Sequence, residues 1–118
     1  MLLMIIEKVY NNRNNANSLI ISESLLSCDE VIAVDFTSTT RMVLKFEGTA
    51  IEADTDIDPT IIDYSQGNGV VNFNIGLLGV PAGSYYASLI EYDPARQNGQ
   101  VLFHAQAKTV QFIFVDPL

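Results

Sequence analysis

The chain has 118 residues, 48% of them hydrophobic and 17% charged, with six Lys plus Arg against 14 Asp plus Glu for a formal charge of −8. That length is close to the commonest single-domain size and suffices for one buried core, and the apolar fraction excludes a chain disordered throughout. The negative balance, with Lys8, Arg13, Arg41, Lys45, Arg96 and Lys108 scattered along the sequence, excludes nucleic acid and anionic membrane as natural partners.

Met1 to Ile6 is apolar but far shorter than the ~20 residues that cross a bilayer. It lacks the basic flank and small-residue cleavage site of a secretory signal, so it reads as a first strand. The run Asn11-Asn12-Arg13-Asn14-Asn15-Ala16-Asn17-Ser18 is dominated by turn-favouring residues and reads as a loop or short arm. Leu19 to Ile21 reads as a strand, and Val31 to Phe36 as another, with a short helix at Ser22 to Ser27 as the competing reading. Cys28 is the one cysteine, which excludes an internal disulfide, offers no metal spacing and suits folding in a reducing cytosol.

From Arg41 a two-residue period is plain: Met42, Leu44 and Phe46 alternate with Arg41, Val43, Lys45 and Glu47 until Gly48. Val71, Phe73 and Ile75 alternate with Asn72 and Asn74, fed by Gln66-Gly67-Asn68-Gly69 as a hairpin turn would feed them. Tyr85 to Tyr92 is a third strand, which Pro94 must end because it cannot donate to a ladder. Gln97-Asn98-Gly99-Gln100 reads as a turn into Val101 to Phe103, and Thr109 to Val115 is the last strand. Seven or eight short strands without a convincing amphipathic helix predict an all-β, immunoglobulin-like antiparallel two-sheet sandwich. The expected organisation is one domain over 1–118, with 1–18 as a strand and Asn-rich arm and 19–118 as the sandwich core.

The stretch NGVVNFNIGLLGVPAGSYYASLIEYDPARQNGQVLF resembles small immunoglobulin-like domains of tailed bacteriophages and prophages, in particular the N-terminal domain of phage baseplate upper proteins. The shared features are a strand ending in Gly, Ala82-Gly83-Ser84-Tyr85 leading into the next strand, the exit Tyr92-Asp93-Pro94, and Gly99-Gln100-Val101 ahead of the final hairpin. Asn12-Arg13-Asn14 and Thr40-Arg41-Met42 also fit. The resemblance covers the C-terminal half well and the N-terminal half loosely, and this chain lacks the long C-terminal receptor-binding part. It implies a virion structural protein of the tail, baseplate or capsid-decoration layer, made in the host cytoplasm. Part of the motif has a purely structural reason: Gly83 permits a tight corner at which the Tyr85 or Tyr86 hydroxyl can bond back to backbone.

The densest polar chemistry is Glu52, Asp54, Asp56 and Asp58, with Asp63 nearby. Alternating carboxylates can gather calcium ligands, but a twelve-residue calcium loop starting at Asp54 would place Pro59 at its Gly position and Ser65 at its bidentate Glu position. Asp54, Asp56 and Asp58 therefore stay weak calcium candidates beside the plainer reading of a solvated acidic loop. His104 has no partner Cys or His in sequence, there is no Gly-x-Ser-x-Gly elbow, and Gly76 to Gly83 contains no phosphate-loop Lys. No cofactor and no enzyme activity are expected.

Two classes of function remain. The first is a protein that assembles into a dimer or trimer, or onto other virion proteins, by covering exposed strand edges and sheet faces. Its interface candidates are Met1, Leu2, Leu3, Asn12, Arg13, Asn14, Asn72 and Asn74, and deletion of 1–18 would weaken assembly while leaving a folded core. The second is a carbohydrate-binding or adhesion module using Tyr64, Tyr85, Tyr86 and Tyr92 as a stacking platform.

Overall fold

The computed structural model describes residues 4–21, 35–66 and 69–116. Nine strands fall among them: β1 (Ile5–Tyr10), β2 (Asn17–Ile20), β3 (Arg41–Phe46), β4 (Glu52–Asp54), β5 (Ile62–Asp63), β6 (Val70–Phe73), β7 (Gly83–Asp93), β8 (Arg96–Phe103) and β9 (Val110–Val115), with one 3-10 turn, Ala105–Ala107. They form two sheets, one ordered β1-β9-β7-β3-β4 with β8 also on β7, the other β2-β6-β5. The chain is an all-β two-sheet sandwich. Among the described residues no helix is long and apolar enough to cross a membrane.

β7 organises the larger sheet. One edge pairs with β3 from Arg41↔Tyr92 to Phe46↔Ala87, so the other edge must take both β9, at Gly83–Tyr86, and β8, at Leu89–Asp93. β8 and β9 thus follow one another along a single edge, separated by the 3-10 turn. Side chains fill the gap in the ladder: Ser88 Oγ accepts from the Ala105 amide at 2.8 Å, and His104 Nδ1 caps the turn by accepting from the Gln106 amide at 3.0 Å.

The core lies between the sheets, where alternation brings Met42, Leu44 and Phe46 of β3 against Phe112 and Phe114 of β9 and Val71 and Phe73 of β6. Phe46 meets Phe112 and Phe114 edge-on at 5.8 and 5.2 Å between ring centroids, and Phe73 meets Phe112 at 5.7 Å. Val43, on the opposite face of β3 from Phe46, is also buried, flanked in register by Ile90 and Asp54.

Several expectations change. The sandwich is not wholly antiparallel, because β1 runs parallel to β9 over six residue pairs from Ile5↔Val110 to Tyr10↔Val115. There are nine described strands, not seven or eight, since β4 and β5 are three- and two-residue pieces. The turn before Val101 lies at Pro94-Ala95, while Gln97 to Gln100 belong to β8. Asp93 explains the choice: its Oδ1 accepts from the Ala95 and Arg96 amides at 2.9 Å each and so closes the loop one step after the strand. Gly99, at φ +89°, is absorbed within β8, where a Cβ would collide with Ile90 and Tyr92. Asp35 and buried Phe36 are not in a strand; the remainder of Val31 to Phe36, the helix reading at Ser22 to Ser27, and Cys28 lie outside the described residues.

Of the two readings of the Asn-rich run the loop holds over the arm, and the core already includes Val9, ahead of residue 19. Val9 of β1 is fully buried, and β2 already begins at Asn17. Between them the asparagines form a clasp. Asn15 accepts from the Tyr10 amide and donates to the Tyr10 and Arg13 carbonyls at 2.9–3.0 Å. Its own amide donates to Asn74 Oδ1 at 2.8 Å. Asn11 donates to the Val80 carbonyl at 3.0 Å, and Asn17 to Glu7 and the Lys8 carbonyl. Gly76 closes the clasp, accepting from the Asn12 amide at 2.8 Å. A Cβ there would overlap Arg13 O, Asn15 Nδ2 and Tyr10 O. Gly76→Ala is therefore expected to lower stability by about 2 kcal/mol, the usual scale for overpacking a tight contact, read as a lower urea midpoint at unchanged m value.

Candidate functional site

Polar chemistry concentrates at the end of the sandwich where β3 begins and β4 and β7 end. Arg41 faces outward at the start of β3, and its guanidinium donates to both Asp54 oxygens, Nε to Oδ1 at 2.9 Å and Nη2 to Oδ2 at 2.6 Å. The Tyr92 ring stacks on it, 4.8 Å from Cζ. Such a bidentate pair lowers the Asp54 carboxyl from its ordinary value, against the opposing effect of burial. Asp54 Oδ1 also accepts from the Asp56 amide at 3.0 Å, and Asp58 Oδ1 accepts from the Thr60 amide and hydroxyl at 3.0 and 2.7 Å.

The three calcium candidates are thus engaged within the chain. Asp54 spends its oxygens on Arg41, Asp56 leans towards the same guanidinium at 3.4 Å, and Asp58 caps its own turn. Among the described residues no three His, Cys, Asp or Glu side chains converge as metal ligands would.

A second carboxylate pair went unnoticed in the sequence. Ala87, Leu89, Glu91 and Asp93 share the inward parity of β7, so Glu91 and Asp93 are both buried. Thr39 Oγ1 donates to Glu91 Oε2 at 2.7 Å, whereas Oε1 has no partner among the described residues. Asp93 is better served, with two backbone amides and Arg96 Nη1 at 3.0 Å. Burial, reinforced by neighbouring Asp93, pushes the Glu91 carboxyl up. Asp93 goes down although burial opposes it, because Glu91 and Arg96 both favour its ionised form. A proton on Oε1 would give that unpartnered oxygen a donor towards Asp93.

The sign follows from linkage. With its folded value raised, Glu91 binds more proton in the folded than in the unfolded chain. Its contribution is complete below the ordinary glutamate value and is lost as pH climbs through the raised one. Glu91→Gln retains the neutral shape and should flatten that decline, with the two melting temperatures converging at acid pH and the variant ahead at neutral pH. Thermal melts across this range check it.

The four tyrosines do not form one platform, since only Tyr86 and Tyr92 share the outward face of β7, towards opposite ends of it. Tyr85 points inward, edge-on to Phe46 and Phe114, and its hydroxyl donates to the Pro81 carbonyl at 2.7 Å, so the corner bond belongs to Tyr85. Gly83 turns that corner at φ +150°. Tyr86 points outward beneath Lys108 Nζ, 5.8 Å from its ring centroid. Tyr92 is covered by Arg41, and Tyr64 packs against the core.

Of the interface candidates, Met1, Leu2 and Leu3 lie outside the described residues. Asn12, Arg13 and Asn14 are exposed but belong to the clasp. Asn74 is occupied by Asn15 and Asn14. Asn72 sits half-buried on the outward side of β6, paired with Ser18 and Asp63 in register.

The outward face of β1 and β9 had not been singled out. Ile6 and Tyr10 are about half exposed there, at 50% and 47%, beside half-buried Ile113 and Val115. The signal was readable: Ile5-Ile6 and Phe112-Ile113-Phe114-Val115 are apolar at both parities, which a half-solvated strand does not require. Lys8 stands within this face, between Ile6 and Tyr10 and in register with Ile113, and Lys108 lies beside it over Tyr86. Arg41, Lys45 and Arg96 pair with carboxylates, whereas neither of those lysines has a carboxylate within 4.0 Å among the described residues. The cations scattered in sequence are thus partly sorted in space. No family profile, curated protein or solved structure matches the chain.

Proposed function

We propose that this chain is a non-enzymatic structural protein of a bacteriophage particle, an immunoglobulin-like sandwich of the tail, baseplate or capsid-decoration layer that acts by protein–protein assembly. The observation that carries the assembly role is the outward face of β1 and β9, where large apolar side chains stand in water on a sheet whose opposite face already fills the core. The strand order, with β1-β9-β7-β3-β4 over β2-β6-β5 and a parallel pairing of first and last strands, supports the immunoglobulin-like type. The resemblance of residues 68–103 to phage accessory domains supports the virion setting. The conspicuous polar groups Arg41, Asp54 and Asp93 are bonded to side chains and backbone amides of the chain, as structural groups are, and Glu91 is held by Thr39. Only two of the four candidate tyrosines share a face, and Arg41 covers one of them, which favours assembly over the carbohydrate reading.

Particles purified by density gradient from a host carrying the gene test this reading. Peptides of the chain are expected to band with the particles at a fixed ratio to the other structural proteins. Their presence only in the soluble fraction would overturn it.

A further inference from the structure

Two features of the surface fit each other. The first is Ile57, 82% exposed at the tip of the turn that leaves β4. An isoleucine in that position is not loosely held. Its amide and that of Asp58 both donate to the Asp54 carbonyl at 3.0 Å, Asp58 is tied to Thr60, and Asp54 is anchored by Arg41. The apolar tip is therefore presented ready-made, which reduces the ordering cost of docking. Exposed Asp56 and Asp58 flank it.

The second is the outward face of β1 and β9, where Ile6, Tyr10 and Ile113 stand exposed or half-buried, Lys8 stands among them in register with Ile113, and Lys108 lies at the β7 side over Tyr86. The outward strand residues there and on the first half of β7 include no carboxylate. One feature is an apolar knob between two anions, and the other an apolar plate that carries one cation within it and a second at its side. On a chain of net charge −8, a plate of that sign is the surface on which the acidic turn meets attraction and not repulsion.

β1 and β4 form opposite ends of the larger sheet, so knob and plate lie apart on one molecule. We propose that the Ile57 tip of one copy docks on the outward face of β1 and β9 of the next, a head-to-tail contact between identical chains. The inference rests on the assembly reading and names its partner as a second copy. Each contact leaves a free knob on one copy and a free plate on the other, so the product is a ring or an open chain.

Sedimentation velocity on three purified proteins tests it: the unaltered chain, Ile57→Asp, and Lys8→Glu with Lys108→Glu. The unaltered chain is expected to self-associate, less so at high salt, and each variant to associate at least tenfold more weakly while keeping its thermal melt. Because the first variant retains its plate and the second its knob, mixing them should restore a one-to-one dimer that neither forms alone. A monomeric unaltered chain, an oligomer indifferent to Ile57→Asp, or a mixture that stays monomeric overturns the proposal. A chain that bands with particles yet fails these assays sinks the head-to-tail contact alone, whereas one absent from particles sinks the virion reading.

Discussion

Deleting residues 1–18 is expected to abolish cooperative folding, leaving a chain without a sigmoidal thermal transition in circular dichroism. The deletion removes the whole of β1 and with it the six-pair parallel ladder to β9. It also removes Val9, fully buried in the core, the buried Asn11 that bridges to Val80, and the first half of β2. β9 would become a raw edge, with Phe112 and Phe114 losing the neighbours that cover them. Buried Val9 contributes roughly 1.5–3 kcal/mol and partly buried Ile5 a smaller share. With the ladder and clasp hydrogen bonds, at about 1 kcal/mol apiece, the loss is on the order of 10 kcal/mol. A domain of this size holds roughly 6–18 kcal/mol in all. A truncated chain that melted cooperatively near the full-length temperature would show that β1 is an appendage.

That outcome reverses the expectation drawn from sequence, and the reason is physical. β3 and β6 were legible because alternation writes a two-residue period into the chain, and β7 and β9 because aromatic and β-branched residues run between turn-forming ones. β4 and β5 are too short to carry a period. The pairing of β1 with β9 joins residues about a hundred positions apart, and no local signal announces it. An Asn-rich run looks the same whether its amides face water or clasp a glycine sixty residues away. At the hairpin, Asn98-Gly99 was the stronger turn signal, yet the Asp93 carboxylate bonding two amides moved the turn to Pro94-Ala95. The site was half legible. Its carboxylates stood out, but their pairing with Arg41 depends on the β3–β4 register, and buried Glu91 was hidden among the tyrosines although its parity with Leu89 was on display.

Phe46→Ala is expected to be the most damaging single substitution in the core, costing about 4 kcal/mol and lowering the melting temperature by roughly 15 °C. Phe46 ends β3 where that strand hands over to the Gly48 turn, and its ring is met edge-on by Tyr85, Phe112 and Phe114. Edge-to-face contact sets the positive rim of one ring against the negative face of another, adding to the free energy of burial. Truncation opens a cavity on which β7 and β9 both depend, and those strands cannot close it, since the Tyr85–Pro81 bond fixes one and β1 fixes the other. Phe46→Leu should recover more than half of the loss by refilling volume without the ring contacts. Ile57→Ser, which removes an equally apolar side chain from water, should change stability by under about 0.5 kcal/mol. Urea unfolding of the three variants separates these cases, because a cavity shifts the midpoint at constant slope. If Phe46→Ala cost no more than Ile57→Ser, the cluster of Phe46, Tyr85, Phe112 and Phe114 would not be what holds β3 to β9, and the stability of the sandwich would have to come from its backbone ladders instead.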